Sequence, residues 1–351
     1  MSASPRLGRR RTLAILAAAA GLPLPGAGAT AVPTWEWQGD ALGAAARIRL
    51  AHPDRTAARI LIEGCVAELR RLEAAFSLYR TGSEISRLNL EGTLDAPSAD
   101  FVALMRAAQA WGERTGGAFD VTVQPLWRLH ADHFARHPGD RRGPPAAALD
   151  AARTVVDFRA ISITPRRIAF ARPGMAITLN GIAQGFITDR VADRLRDGGI
   201  GSTLVEMGEI AAVGTRSDGA PWSVGVPARD GTLVATLALR DRAAATSAGH
   251  ATPFEPTGRF HHLFDPRTGT SANAVAGVSV VAERATTADA LSTALFVTPL
   301  SEAPALLQRA CDASTGVDAL VQCGDARVVH LTAGRSAGAL PFIPPTKGDK
   351  R

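Results

Sequence analysis

The stretch Thr178-Leu179-Asn180-Gly181-Ile182-Ala183-Gln184-Gly185-Phe186 has the pattern of a turn that opens a helix. The helix is predicted to begin near Gly181 and to end at Gly198-Gly199, and its buried stripe comprises Ile187, Val191 and Leu195. Free N–H groups and the helix dipole attract phosphate to a helix N-terminus, and Gly181 and Gly185 leave room for its approach. A glycine pair is a weak signal by itself, and the G-x-G-x-x-G order of dinucleotide-binding folds is absent.

Outward from this stretch, helices and strands follow one another in mixed runs. One helix is predicted over about 56–76, and a second follows the capping residue Ser98 and ends at Gly116-Gly117. A short helix is predicted over 286–298, where Thr286-Thr287-Ala288-Asp289 fits a capping box. Four strands are predicted at Val205–Met207, Trp222–Val226, Val234–Leu239 and Val275–Val281. Such mixed runs favour an α+β fold over a doubly wound α/β sheet.

The composition is typical of a domain with a large apolar core. Of the 351 residues, 46% are hydrophobic, and no apolar run reaches the roughly 20 residues needed to span a bilayer, so the mature protein is not expected to cross a membrane. The net charge of +6 comes from scattered arginines mixed with acidic residues, which argues against a nucleic-acid partner. Residues 30–351 are predicted to form one domain of two lobes, joined by a Pro-, Gly- and Ala-rich loop near 138–150.

Residues 1–29 have the pattern of an export signal. Arg9-Arg10-Arg11 precede an apolar stretch from Leu13 to Leu22, and Ala27-Gly28-Ala29 suits signal peptidase. Paired arginines before the apolar stretch indicate the twin-arginine route, and therefore a periplasmic protein. A Sec-type signal and an uncleaved anchor are the alternatives that the sequence leaves open.

The cysteines and one histidine cluster are weaker signals. The cysteines, Cys65, Cys311 and Cys323, match no metal motif. Cys311 and Cys323 could pair in an oxidising compartment, but small buried thiols are the preferred interpretation. The run His130–His137 contains three histidines that a helix could place on one face for a metal. Because these histidines lack clearly spaced partners, a solvated helix is the preferred interpretation there.

Three further places carry side chains suited to a nucleotide. Tyr79, the single tyrosine, lies in a polar loop and can stack on a flat ring. Two glycines before Phe119 and Asp120 let the backbone approach a ligand closely. Asp289 and Thr293, four apart on a helix, present a carboxylate and a hydroxyl that suit magnesium. Taken singly, these places are explained as well by an edge aromatic, a helix C-cap and a capping aspartate.

Taken together, six ordered motifs resemble those of the ApbE family of FAD:protein FMN transferases. They match Tyr79–Asn89, Gly117–Leu126, Thr178–Phe186, Ala245–Gly249, His262–Gly269 and Ala288–Val297. The motifs cover roughly residues 40–335 in order, which is far more specific than any single match. The resemblance implies an ApbE-like two-lobed α+β fold. It also implies a magnesium-dependent enzyme that moves FMN from FAD onto a threonine or serine of a client protein and releases AMP.

The resemblance assigns roles to individual residues. Magnesium would be held by the main-chain oxygen of Gly181 together with Asp289 and Thr293. Asp289 or His262 would accept the proton of the attacking hydroxyl. The resemblance implies that FAD is contacted by Leu42, Tyr79, Ala118, Phe119, Asp120, Thr178 and Gln184.

Two positions depart from the family's usual residues. Thr178 stands where the family has Asp, and Leu42-Gly43 where it has Met-Gly; both bear on the affinity for FAD rather than on the reaction. The form of the stretch around Gly181 also resembles a NosX-like subgroup associated with nitrous-oxide respiration, whose client is a membrane flavoprotein.

The sequence leaves two rival functions open. One is an FAD pyrophosphatase that yields FMN and AMP, and the other is a non-enzymatic flavin carrier or assembly factor for a respiratory complex.

Overall fold

The structure is a computed structural model that describes residues 32–312 and 316–334. The predicted export signal over residues 1–29 lies outside the described residues. Every described helix is too short or too polar to cross a membrane.

The described residues contain thirteen strands and eight α-helices. The strands are β1 Thr34–Ala41, β2 Ala44–Ala51, β3 Thr93–Asp95, β4 Ile161–Ile163, β5 Arg167–Phe170, β6 Ser202–Met207, β7 Ile210–Gly214, β8 Trp222–Pro227, β9 Leu233–Leu239, β10 Ala243–Ser247, β11 Val275–Ala282, β12 Val317–Cys323 and β13 Val328–Ala333. The helices are α1 Arg55–Phe76, α2 Glu84–Glu91, α3 Ala99–Arg114, α4 Gln124–Arg136, α5 Ala146–Arg153, α6 Ala183–Asp197, α7 Ala285–Phe296 and α8 Ala303–Ala310.

Eight of the strands form one antiparallel sheet in the order β1-β2-β6-β7-β10-β11-β12-β13. β3, β5 and β4 form a small second sheet, and β8 pairs with β9 as a hairpin. Helices lie between the strands in mixed order, so the predicted α+β class is confirmed. The division into two lobes stays a prediction.

The eight-stranded sheet is covered on both faces. On one face α1, α6 and α7 pack together against it, and their apolar side chains form the main core. On the other face the β8–β9 hairpin packs Trp222, Val224 and Leu237 against Leu204 and Leu320 of the sheet. Strands β11 and β12 are accordingly buried along nearly their whole length, as strands covered on both sides must be.

The helices predicted from apolar spacing are present. α1 buries Cys65, Leu69 and Leu72 against the core. α3 follows Ser98, whose hydroxyl accepts the Phe101 N–H at 3.2 Å and so satisfies one free donor of the first turn. α6 ends at the predicted glycine pair. The predictions over 56–76, after Ser98 and before Gly198 are therefore confirmed.

Two local predictions at helix ends were wrong. α7 begins at Ala285 with no side-chain capping bond from its own N-cap residue, because the Asp189 carboxylate of α6 caps it instead. The predicted loop near 138–150 ends at Pro145, since residues 146–150 belong to α5. Proline is favoured where a helix starts, and the alanines that follow it here are strong helix formers.

The structure shows that the cysteines and the first histidine of the run are buried. All three cysteines are free and buried, as preferred from the sequence. His130, in contrast, is fully buried rather than solvated, and its Nδ1 lies 2.9 Å from the Leu126 carbonyl. Its ring packs among aromatic rings of the segment that follows β10, namely Phe254, Phe260 and Phe264.

Candidate functional site

A cavity lies where the start of α6, the helix α7 and the end of β10 meet. Its walls come from seven separate parts of the chain, so only the folded protein can form it. The lining includes Leu42, Phe119, Asp120, Trp127, Thr178, Asn180, Gly181, Gln184, Gly208, Glu209, Thr246, Ser247, Thr252, His262, Asp289 and Thr293.

The close contact between α6 and α7 places Asp289 at the start of α6. The Gly185 N–H, in the first turn of α6, donates to Asp289 Oδ2 at 3.0 Å. First-turn N–H groups have no partner within their own helix, so the carboxylate satisfies one of them. A Cβ on Gly185 would lie 2.9 Å from the Asp289 Cβ, closer than real Cβ atoms approach, so this contact requires glycine.

Gly181 and Thr293 meet on the same side of the cavity. A Cβ on Gly181 would lie 2.8 Å from Thr293 Oγ1 and 3.3 Å from Cε2 of Phe119. The bare backbone of Gly181 therefore lies directly against the hydroxyl. The structure thus brings together Gly181, Asp289 and Thr293, the three positions that the sequence assigns to a cation.

Hydroxyl groups support Thr293 from β10. Ser247 Oγ lies 2.8 Å from Ser292 Oγ and 3.3 Å from Thr293 Oγ1. Ser292 Oγ also donates to the Asp289 carbonyl at 2.9 Å. These contacts hold the Thr293 hydroxyl in one orientation at the cavity wall.

A buried aspartate of α6 fixes the first turn of α7. Asp189 Oδ1 accepts the Ala285 N–H at 2.8 Å, and Oδ2 accepts the Thr286 N–H at 2.9 Å. The Arg284 guanidinium lies 3.4 Å from Oδ2. Burial nevertheless raises the pKa of Asp189 above its ordinary value. The anionic side chain also matches the positive end of the α7 dipole, so α7 is anchored on the helix that it faces.

Asp289 and Glu209, two acidic residues of the cavity wall, have pKa values raised by burial. Burial raises the pKa of Asp289 to about 7, although the Gly185 N–H opposes this. Burial, and next the nearby Asp289 carboxylate, raise the pKa of Glu209 well above its ordinary value. Glu209 was not predicted from the sequence, because an acidic residue in the turn between two apolar strands is ordinarily a solvent-exposed hairpin residue.

The positions assigned to FAD are brought together only in part. Leu42, Phe119, Asp120, Thr178 and Gln184 line the cavity. Ala118 is buried beside Phe119 but does not belong to the lining, and Tyr79 is 68% exposed on the surface and also lies outside it. A flavin contact by Tyr79 therefore stays a prediction from the sequence.

Asp120 shapes the backbone at the cavity. Oδ1 of its carboxylate accepts the Thr122 N–H at 2.7 Å, and Oδ2 accepts the Phe158 N–H at 3.1 Å. Burial raises the pKa of Asp120, while these hydrogen bonds oppose the increase. Its oxygens are thus already engaged by the protein, which indicates a positioning role for this residue.

Leu42 and Gln184 are held by local backbone features. Leu42 has a positive φ of 48°, and its N–H donates to Glu73 Oε1 at 2.6 Å. The Gln184 carboxamide lies directly over Gly208, and a Cβ on Gly208 would clash with this carboxamide. The backbone φ of Gly208 is +92°, which also favours glycine. Glycine is therefore required beneath Gln184.

His262 lies on the cavity wall. Its backbone N–H donates to the Thr252 carbonyl at 3.2 Å, which fixes this loop beside the short helical turn after β10. His262 is the one histidine in the lining, so it is the imidazole placed to exchange a proton there.

The donor set suits a hard cation that is completed by its substrate. In the described ranges, no group of three or more His, Cys, Asp or Glu side chains comes together as a metal site. Magnesium, however, commonly takes one or two carboxylates and completes its shell with phosphate oxygens and water. A carboxylate, a hydroxyl and a bare backbone around one cavity fit that requirement.

Comparisons with known proteins found similarity in both sequence and fold. The model of the ApbE family matches residues 42–320. The FAD:protein FMN transferase of Treponema pallidum is 32% identical over 82% of this chain and 84% of its own length. A solved flavin transferase ApbE from Vibrio cholerae has a TM-score of 0.74, 27% identity, and coverage of 89% of this chain and 99% of its own. The apo flavinyl transferase ApbE of Pseudomonas stutzeri has a TM-score of 0.71, 27% identity, and coverage of 86% and 94% respectively.

Proposed function

This chain belongs to the ApbE family, and on that premise we propose that it moves FMN from FAD to a threonine or serine hydroxyl of a client protein with the help of magnesium. It is an FAD:protein FMN transferase like the relatives that it matches. The need for magnesium, the type of acceptor hydroxyl and the release of AMP are our proposals. The observation that carries them is the convergence of Gly181, Asp289 and Thr293 on one cavity.

The charge of the cavity supports a cation. Its described lining contains the acidic residues Asp120, Glu209 and Asp289 but no Lys or Arg. The diphosphate of FAD is itself negative, so it would not bind beside carboxylates unless positive charge were supplied. Gly181, Asp289 and Thr293 would hold the magnesium ion, which when bound draws charge from the diphosphate as a Lewis acid.

The protein's own groups would position the diphosphate. The start of α6 offers the positive end of the helix dipole beside Gly181, although the N–H groups of Ile182 and Ala183 already bond to the Leu179 carbonyl. The glycines there leave room for phosphate oxygens, and the rings of Phe119 and Trp127 line the same cavity and offer flat apolar faces. Phosphoryl transfer depends mostly on positioning and on stabilising charge, so a nucleophile from this chain is not needed.

The proposed transfer exchanges one phosphorus–oxygen bond for another. The client hydroxyl oxygen attacks the FMN-side phosphorus, and the bond from that phosphorus to the bridging oxygen breaks. AMP leaves with the bridging oxygen, and FMN stays on the client as a phosphodiester. The hydroxyl proton passes to Asp289 or to His262. Burial raises the pKa of Asp289 to about 7 in the protein without a cation, and a bound cation would lower it, so Asp289 would accept the proton as a carboxylate.

The test combines purified protein, FAD and Mg²⁺ with membranes from source cells that lack this gene. We expect AMP release and a fluorescent flavin band that survives denaturing electrophoresis. Asp289→Asn should abolish both, and chelation of divalent ions should do the same. Full transfer by Asp289→Asn would reject the assigned role of Asp289.

The same assay separates the rival functions. AMP and FMN formed at the same rate without membranes would indicate an FAD pyrophosphatase. Intact FAD recovered after long incubation with membranes would indicate a flavin carrier or assembly factor.

We further propose that the protein acts in the periplasm after twin-arginine export, with a membrane respiratory flavoprotein as its client. Both proposals rest on the sequence of residues 1–29 and on the NosX-like form of the stretch around Gly181. Mass spectrometry of membrane proteins with and without this gene would find the client as a protein that carries one added FMN.

A further inference from the structure

Glu209 is an acidic residue of the cavity wall that the proposed function leaves without a role. It follows Gly208 in the turn between β6 and β7 and is only 7% exposed. The same cavity is lined by Asp289, Thr246 and Ser247. A carboxyl group is thus buried beside the carboxylate assigned to the cation.

The backbone holds Glu209 firmly in place. Its carbonyl accepts the Met207 N–H at 2.8 Å and lies 3.4 Å from Thr188 Oγ1 of α6. Its side chain accepts a hydrogen bond from the Thr246 backbone, but Oε2 is buried with no hydrogen-bond partner. Buried oxygens are ordinarily hydrogen-bonded, so an orphaned one indicates a missing ligand.

No positive side chain offsets this pair of acidic groups. Within residues 32–312 and 316–334, neither Glu209 nor Asp289 takes part in an ion pair with Lys, Arg or His, although surface carboxylates of this chain commonly do. Ionising both buried groups without nearby positive charge costs several kcal/mol, and the repulsion between two like charges increases that cost. A divalent cation between them is the group that removes both penalties.

We propose that Glu209 is the second carboxylate of the divalent-cation site and strengthens the binding of the ion that Asp289 and Thr293 hold. This inference rests on the proposed magnesium site and adds to it a ligand from the sheet side of the cavity. Two carboxylates are within the number that magnesium ordinarily takes from a protein. The unpartnered Oε2 is the oxygen that such an ion would engage.

The experiment measures the binding of Mn²⁺ to the full chain in the absence of FAD, by counting free Mn²⁺ with electron paramagnetic resonance. Glu209→Gln keeps the shape and the acceptor for the Thr246 N–H but removes the charge. We expect its Mn²⁺ affinity to fall about 10–100-fold, the usual effect of losing a group that supports a metal site. The rise in Tm on adding Mn²⁺ should shrink in parallel, because a weaker ligand stabilises less.

Glu206→Gln is the matched control. Glu206 lies three residues earlier, is mostly buried, and pairs with Arg47 and Arg49 outside the cavity lining. It should keep the wild-type Mn²⁺ affinity within about twofold while losing stability. Glu209→Asp provides a second variant that keeps the charge, and its affinity should lie between those of wild type and Glu209→Gln.

The outcomes separate the two proposals. Wild-type affinity in Glu209→Gln, with binding lost in Asp289→Asn, would overturn the role of Glu209 and leave the magnesium site standing. No Mn²⁺ binding by wild type at saturating concentrations would overturn both. If Glu209→Gln does not fold, Glu209→Asp decides: wild-type Mn²⁺ affinity in this variant would overturn the role of Glu209 as a ligand, and a weaker affinity would support it.

Discussion

Gly185→Ala adds a single methyl group at the contact between α6 and α7. The new Cβ would lie 2.7 Å from the carbonyl carbon of Ala285 and 2.9 Å from the Cβ of Asp289. Both neighbours belong to a helix in the core, so neither can turn aside as the end of a flexible side chain could. The two helices must therefore move apart.

The size of the effect follows from these distances. The contact with the Ala285 carbonyl carbon falls 0.7 Å short of the 3.4 Å at which ordinary contact begins, and the carbonyl oxygen would lie closer still, so α7 must shift by at least that much. Overpacking of this kind costs about 1–3 kcal/mol, against a gain of up to about 1 kcal/mol from better helix propensity. The shift also weakens the Gly185 N–H bond to Asp289. A displacement of about 1 Å in a reacting group can cost about 100-fold in rate.

The assay pairs urea unfolding with flavin transfer to membranes from cells that lack the gene. We expect the free energy of unfolding to fall by about 1–2 kcal/mol and the rate of transfer to fall 10–100-fold. A protein that loses about 1–2 kcal/mol of its stability stays almost entirely folded, so the loss in rate would come from the displaced functional group rather than from unfolding.

Gly64→Ala is the control, since Gly64 also lies inside a helix, α1. The three atoms nearest to the new Cβ all belong to the guanidinium of Arg194, of which Nη2 is the nearest at 2.7 Å. This guanidinium is the end of a flexible side chain and can move away. This variant should keep full activity and gain stability. Equal activity in Gly185→Ala and Gly64→Ala would refute the claim that the α6–α7 contact positions Asp289.

Three further predictions concern the same region. Thr293→Val keeps the shape of the side chain but removes its hydroxyl, and we expect the Mg²⁺ concentration for half-maximal transfer to rise about tenfold in a metal titration. Asp189→Ala removes the cap on α7, and urea unfolding should show a loss of about 2–3 kcal/mol. Burial lowers the pKa of His261, so its contribution to stability is complete above the unfolded-state pKa of about 6.5 and is lost as the pH falls through the folded-state pKa. His261→Gln, which cannot titrate, should flatten the decline of Tm that wild type shows as the pH falls below the unfolded-state pKa of about 6.5.

Local features of the fold could be predicted from the sequence. The apolar spacing of α1, the cap at Ser98 and the glycines after α6 are set by neighbours in the chain, and all three predictions were confirmed. The order of strands could not be predicted, because β7 pairs with β10 and β2 pairs with β6 across long intervening segments. Such pairing depends on how whole faces pack rather than on any short pattern.

The candidate site was predictable to the extent that motifs encode it. Gly181, Asp289 and Thr293 meet as the motifs imply, whereas the exposed Tyr79 does not belong to the lining. Glu209 lies outside every motif that the sequence analysis used. Its burial beside Asp289 depends on the sheet meeting two helices, which no pattern within one segment can show.

The Asp189 cap on α7 means that the candidate site forms only when α6 and α7 pack against each other. A chain with α6 and α7 already helical but not yet in contact has neither the cap nor the Gly185–Asp289 bond. Its far-ultraviolet spectrum would look native, yet it would bind metal poorly. Under the proposed function, affinity for a divalent ion would therefore report whether these two helices have docked, and it would measure correct assembly when helix content cannot.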